Sequence, residues 1–255
     1  VLADQNEGKL NAGNLDEGIK LKASSLSSLI EFIGAELLKW RDDPERPARI
    51  AETSLTSQFC GHMIEACRKS SWDFLQFRSE EPDETYPGRK IDMVAAPSGK
   101  TIWIDTREYT RYATLLPIEC KRLPIPEDRA RDKREYLFSA KSSTGGVQRF
   151  KAGHHGASHD KGVMIGYIQK HDIAFWKEQI QSWLQELVDQ AIQGWSLEDS
   201  LKMTSHEVSA KLAMFQSVHS RSDQSGRKRR GNPAPKSAAK GLSICLAHLW
   251  IEMIN

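Results

Sequence analysis

Residues 115–124 read LLPIECKRLP, an apolar run broken by Glu119 and Lys121. Its length, and the closure by Pro124 and Pro126, predict a strand over 115–121. Side chains alternate across a strand, so Glu119 and Lys121 share one face and Cys120 takes the other, a core position rather than a nucleophile's. Burying a carboxylate beside an ammonium costs several kcal/mol unless both are well partnered. The pair therefore needs compensation from elsewhere in the chain.

The flanking sequence has a mixed α/β pattern. Leu26, Leu29, Ile30, Ile33, Leu37 and Trp40 recur at helical spacing, and Asp42-Asp43-Pro44 ends that helix. A second helix is expected at 51–69. Strands are expected at 72–77, 91–95 and 101–104, the last two paired as a hairpin across Pro97-Ser98-Gly99-Lys100. Residues 127–160 read as helical and loop-rich, and GVMIGYI at 162–168 reads as a buried strand. Ile173, Trp176, Ile180, Trp183, Leu184, Leu187, Val188 and Ala191 outline another amphipathic helix. LSICLAHLWI at 242–251 is an apolar strand expected to rejoin the main sheet. The organisation is thus a polar tail at 1–23 and one domain at 24–255 with strands and helices interleaved.

Composition narrows the function classes. The chain has 255 residues, 39% hydrophobic and 27% charged, enough for a proper core. With 36 basic and 34 acidic residues, global charge does not announce a nucleic-acid binder. Locally, residues 221–240 carry seven Lys or Arg against one Asp, a polar basic loop able to touch a phosphate backbone. Cys60, Cys67, Cys120 and Cys245 form no CxxC pair, which fits reduced thiols in a cytoplasmic protein. No apolar run approaches membrane-spanning length.

Glu-x-Lys is a common pattern, and Glu7-Gly8-Lys9 repeats it in the tail. What sets 119–121 apart is Asp92, in the strand expected at 91–95. Two carboxylates from adjacent strands, with a lysine on the same face, make a hard-oxygen site for a divalent cation. Such a cation would supply the compensation that Lys121 alone does not.

This arrangement resembles the PD-(D/E)XK nuclease superfamily, over about residues 50–170. Asp92 matches its first motif and Glu119-Cys120-Lys121 its second, although Ile91 stands where the family's proline is found. The resemblance implies a restriction-endonuclease-like fold, a central mixed β-sheet flanked by helices. It implies Mg²⁺, with Mn²⁺ as a substitute, held by Asp92, Glu119 and the Cys120 backbone carbonyl. In that resemblance the metal would polarise a phosphate and acidify a water, and Lys121 would orient that water or stabilise transition-state charge. A lysine beside a metal has a lowered pKa, which leaves open a role as general base. The implied partner is nucleic acid, DNA before RNA, in prokaryotic restriction, repair or phage defence, acting as a homodimer or with a partner protein. A nuclease-like module that binds nucleic acid or a partner without cutting is the alternative.

The family often adds a glutamate from the preceding helix. At about 100° per residue, Leu55, Phe59, Met63 and Ala66 fall within about 60° of Glu52, whereas Glu65 lies about 140° away. Glu52 is the expected site residue and Glu65 a surface charge. Glu80 and Glu81 are a further option. The family also recruits a polar residue after its second motif; here Thr144-Gly145-Gly146-Val147-Gln148-Arg149-Phe150 resembles a capped helix start whose N–H groups suit a phosphate. Gln148 or Arg149 is the expected substrate contact.

Other clusters carry weaker signals. His154, His155 and His159 share one loop without a nearby cysteine, so a phosphate-contacting loop is favoured over zinc. Cys60, His62 and Cys67 fall on one helix, with His62 and Cys67 about 140° apart, which disfavours a shared metal. Trp40, Trp176 and Trp183 lie on apolar stripes and are expected in the core, whereas Trp195 is expected at the surface.

Overall fold

A computed structural model describes residues 18–83, 88–126, 131–207, 211–221 and 243–253. The first half of the chain forms β1 (Ile19–Leu21), α1 (Ser25–Asp42), α2 (Glu52–Arg68), β2 (Leu75–Pro82), β3 (Lys90–Pro97), β4 (Ile102–Ile104), β5 (Arg107–Tyr109) and β6 (Leu116–Leu123). The second half forms α3 (Gly146–Lys151), β7 (Lys161–Ile168), α4 (Ile173–Asp189), β8 (Lys202–Glu207), β9 (Leu212–Ser220) and β10 (Ser243–Glu252). Among the described residues no helix is long and apolar enough to cross a membrane.

Seven strands make one mixed sheet in the order β2-β3-β6-β7-β10-β9-β8. Its central strands β6, β7 and β10 run parallel to one another. Strands buried on both faces read as continuous apolar runs, which is why 115–124, 162–168 and 242–251 stand out in the sequence. Helices α1 and α2 cover one face, burying Leu29, Ile33, Leu37, Leu55, Phe59 and Met63 against Met93, Ile118, Cys120 and Ile165. Helices α3 and α4 cover the other, burying Val147, Phe150, Trp176, Trp183 and Leu187 against Met164, Leu246 and Trp250. The Asp172 carboxylate caps α4 by accepting from the Phe175 N–H at 2.8 Å.

Several expectations are corrected. The assigned tail is strand from Ile19 to Leu21, paired in parallel with Ile102–Ile104. The expected 91–95/101–104 hairpin does not form. Both edges of β3 are taken by β2 and β6, so the chain leaves the sheet after Gly99 and β4 joins a separate sheet, β1-β4-β5. The first expected strand starts three residues late, at Leu75. Residues 127–160 hold a single short described helix, α3. The pair β8–β9 was not anticipated, because polar Gln216, Ser217 and His219 interrupt its apolar alternation. The basic run beyond Arg221 lies outside the described residues. Arg221 itself is buried, not part of a solvated loop, and donates to the carbonyls of Phe150, Gly156 and Ala157. Trp195 is half-buried, against Lys151 and Phe138.

A buried polar chain locks the α3 side of the sheet. Asp199 binds both Lys151 and His219 Nδ1. Ser217 Oγ bridges His219 Nε2 at 2.6 Å and His248 Nε2 at 2.7 Å. Tyr136 then links His248 Nδ1 at 2.8 Å to the Trp250 indole N–H at 2.7 Å. Burial pushes both imidazoles below the ordinary histidine pKa, so both are neutral. Since Asp199 only accepts, one proton order satisfies every member: Trp250 to Tyr136 to His248 to Ser217 to His219 to Asp199. Lys151 ends α3, so this chain fixes the helix that carries Arg149.

Candidate active site

The site forms where two strands part. Strands β3 and β6 pair at Met93–Ile118, Val94–Pro117 and Ala95–Leu116, and no further. Met93, Ile118 and Cys120 point into the α1/α2 core, so alternation turns Asp92, Glu119 and Lys121 to the opposite face. Past the last pair, β6 still directs N–H groups toward β3. The Asp92 carboxylate accepts from the Cys120 N–H at 2.8 Å, and Glu52 Oε2 accepts from the Arg122 N–H at 3.0 Å. A strand residue directs its C=O to the same side as its N–H, so the Cys120 carbonyl faces the Asp92 side.

Lys121 joins these groups. Its Nζ lies 2.8 Å from Glu119 Oε1, 3.4 Å from Glu52 Oε1 and 3.9 Å from Asp92 Oδ2. Glu119 is fully buried, and its Oε1 also accepts from Arg149 Nη1 at 2.6 Å. His155 Nε2 lies 3.2 Å from Glu119 Oε2 but out of line for a hydrogen bond, leaving that oxygen a buried acceptor without an aligned donor among the described residues. On its other side His155 Nδ1 is 3.5 Å from Asp83 Oδ2. Glu52 and Asp92 keep 19% and 28% side-chain exposure and line a pocket of about 150 Å³ with Thr53, Thr56 and Ser79, through which solvent reaches the cluster.

Electrostatics separate the carboxylates. Burial, followed by the charge of Glu119, pushes Asp92 up to about 7, only partly opposed by Lys121 and the Cys120 N–H. Burial also works against ionising Glu119, but Lys121, His155 and Arg149 outweigh it and hold this carboxyl below the ordinary range. For Lys121, burial favours the neutral amine, yet Glu119, Asp92 and Glu52 together raise it above the ordinary lysine value. In this metal-free state Lys121 is an ammonium. Burial lowers His155, but Asp83 and Glu119 raise it more, to about 9.

The structure brings Asp92, Glu119, Lys121, Glu52 and Arg149 together. Glu65 is exposed and pairs with Lys69, Glu80 pairs with Lys90, and Glu81 with Arg78. Gln148 is corrected: its Oε1 accepts from the N–H groups of Gly145 and Ser139 and caps its own helix. The helix start offers no phosphate cradle either. The N–H groups of Gly146, Val147 and Gln148 donate to the carbonyls of Glu135, Tyr136 and Leu137. Cys120 is buried beside the Tyr167 hydroxyl, and burial raises its thiol well above the ordinary value. Asp83 was missed, and His155, read as part of a phosphate-contacting loop, instead lies between Asp83 and Glu119; the signal for this loop was the polar Gly153-His154-His155-Gly156 run.

No family model, curated protein or solved structure matches the chain. The residues must therefore speak through their own chemistry. Among the described residues no three His, Cys, Asp or Glu side chains are spaced as a ready-made metal site. Asp92, Glu119 and the Cys120 carbonyl are nonetheless all oxygen donors. Mg²⁺ usually takes one or two protein carboxylates and completes its shell with water and phosphate oxygens. Glu119 Oε2 is a buried acceptor without an aligned donor among the described residues, and the raised Asp92 carboxyl is short of positive charge, so the oxygen donor set fits a hard divalent cation.

Proposed function

We propose that the protein is a Mg²⁺-dependent nuclease of the PD-(D/E)XK, restriction-endonuclease-like type, hydrolysing phosphodiester bonds in DNA. The observation that carries this reading is the convergence of Asp92, Glu119 and Glu52 on one buried lysine at the point where the β3–β6 ladder ends. Asp92, Glu119 and the Cys120 carbonyl would hold Mg²⁺, or Mn²⁺ in its place, which when bound polarises the phosphate and acidifies a water. Lys121, kept cationic by its three carboxylates, stabilises negative charge growing on the phosphoryl oxygens. Glu52 and Asp92 fix the Lys121 ammonium in place. Arg149 supplies a guanidinium for a phosphate next to the scissile one. Restriction or phage defence as a setting rests on the family resemblance alone.

A second reading, a module that binds nucleic acid or a partner without cutting, draws on one feature. Asp92 and Glu52 already serve as acceptors for backbone N–H groups, a role that needs no chemistry. Cleavage of plasmid and single-stranded DNA, with and without Mg²⁺, tests the choice, using the wild type, Lys121→Ala and Asp92→Ala. The nuclease reading expects Mg²⁺-dependent cutting that both substitutions abolish. Cutting that survives both refutes it, and binding without cutting under Mg²⁺ and Mn²⁺ selects the second reading.

A further inference from the structure

The charges of the site nearly cancel before any metal is considered. Glu52, Asp92 and Glu119 face Lys121 and Arg149, and His155 is matched by Asp83, which leaves the cluster close to one negative charge. A divalent cation added to this set turns the excess positive, and in a buried site of low dielectric such an excess is unfavourable. One resident cation must then find another anion.

Three groups can be compared for that part. Lys121 is held by three carboxylates with 4% of its side chain exposed. His155 is wholly buried and anchored on Asp83. Arg149 differs from both. Its side chain is 20% exposed, and it reaches Glu119 and His155 through Nη1 alone. Among the described residues its Nε and Nη2 have no hydrogen-bond partner, so a forked donor pair is free for an anion.

We propose that Arg149 is a counter-ion gate: it neutralises Glu119 while no divalent cation is bound, and it transfers to the substrate's phosphate when the cation takes Glu119. The proposal rests on the nuclease reading and adds to it a coupling between cation and substrate. Because linkage is reciprocal, each of the two ligands then strengthens the binding of the other. His155, anchored on Asp83, lies 3.2 Å from Glu119 Oε2.

Mn²⁺ binding to the full chain, followed by the electron paramagnetic resonance signal of the free ion, tests the gate without relying on activity. Wild type, Arg149→Met and Arg149→Lys are compared with and without a short phosphorothioate DNA duplex. Without DNA, Arg149→Met is expected to bind Mn²⁺ about tenfold more tightly than wild type, because the competing cation is gone. The duplex is expected to tighten Mn²⁺ binding to wild type by about tenfold and to do markedly less for Arg149→Met. Arg149→Lys keeps the charge for folding but lacks the forked reach, and its Mn²⁺ affinity should fall between the other two. Equal or weaker Mn²⁺ binding in both variants overturns the gate while leaving the metal site standing. Absence of Mn²⁺ binding in all three proteins overturns the gate and the nuclease reading together.

Discussion

Asp92→Asn should make the metal-free protein more stable at pH 8 while abolishing cleavage. The carboxyl of Asp92 is pushed up to about 7 from an ordinary 3.8, mainly by burial and the charge of Glu119. Between those two values the folded state holds a proton that the unfolded state has released, so stability falls as pH rises through this window and stays low above it. A shift of about three units at about 1.4 kcal/mol per unit sets an upper bound of ~4 kcal/mol on that loss. Partial exposure of the carboxylate screens its charge, which brings the expected gain for the amide to ~1–3 kcal/mol at pH 8. The side-chain amide oxygen of the variant would still accept from the Cys120 N–H, so the strand end stays capped. At pH 4.5 only the first part of that window has been crossed, so the difference between the two proteins should be much smaller than at pH 8. Urea unfolding of both proteins in EDTA at the two pH values measures the difference directly. A variant no more stable than wild type at pH 8, or equally stabilised at both pH values, would refute the assignment of buried negative excess to Asp92.

Three further outcomes are expected. Ser217→Ala strands His219 Nε2 and His248 Nε2, both buried, and should lower unfolding stability by ~2–6 kcal/mol, at ~1–3 kcal/mol per orphaned group, whereas exposed Ser220→Ala should change it by less than ~0.5 kcal/mol in the same urea titration. Gly146→Ala brings a Cβ to 2.5 Å from Met164 Cε and 2.9 Å from the Tyr136 carbonyl oxygen; the thioether can move but the carbonyl cannot, so a stability loss of ~1–3 kcal/mol and weaker cleavage through a displaced Arg149 are expected, read by thermal melting and a plasmid assay. Glu52→Gln keeps an acceptor for the Arg122 N–H but removes charge from Lys121 and should reduce cleavage about 10–100-fold, while Glu65→Gln on the opposite side of α2 should leave it unchanged.

The parts of this architecture that showed in the sequence are those where burial is two-sided or helical. The strands β6, β7 and β10 are continuous apolar runs, and the stripes of α1, α2 and α4 follow the helical period, so their positions emerge within a few residues. Glu119 and Lys121 were legible for the same reason, since charges placed on an apolar strand conflict with their surroundings; Asp92 followed from the neighbouring expected strand, and Glu52 from the family resemblance and its place on the α2 stripe. Strand β9 was hidden because its inward positions Ser217 and His219 are polar and satisfied by a network drawn from distant segments. The place of His155 beside Glu119 was hidden likewise, since its partners Asp83 and Glu119 lie 72 and 36 positions away and loop sequence carries no period to align them. Gln148 misled because a residue suited to reach a ligand is equally suited to cap its own helix.

The capping role of Asp92 and Glu52 does not by itself account for their charge. A backbone N–H at the end of a ladder needs only an acceptor, and asparagine, glutamine or serine supplies one without an ionised group. Carboxylates at both positions raise the negative potential around Glu119, and Lys121 must then be buried to offset it. Replacing such a set by neutral groups of similar shape is often neutral or stabilising, so folding alone gives no reason to concentrate the charges here. They lie where β3 and β6 separate, where the Cys120 carbonyl turns toward the gap, and where a pocket admits solvent to Asp92. Charge in excess of structural need, gathered where the β3–β6 ladder ends, is what the proposed cation site would require.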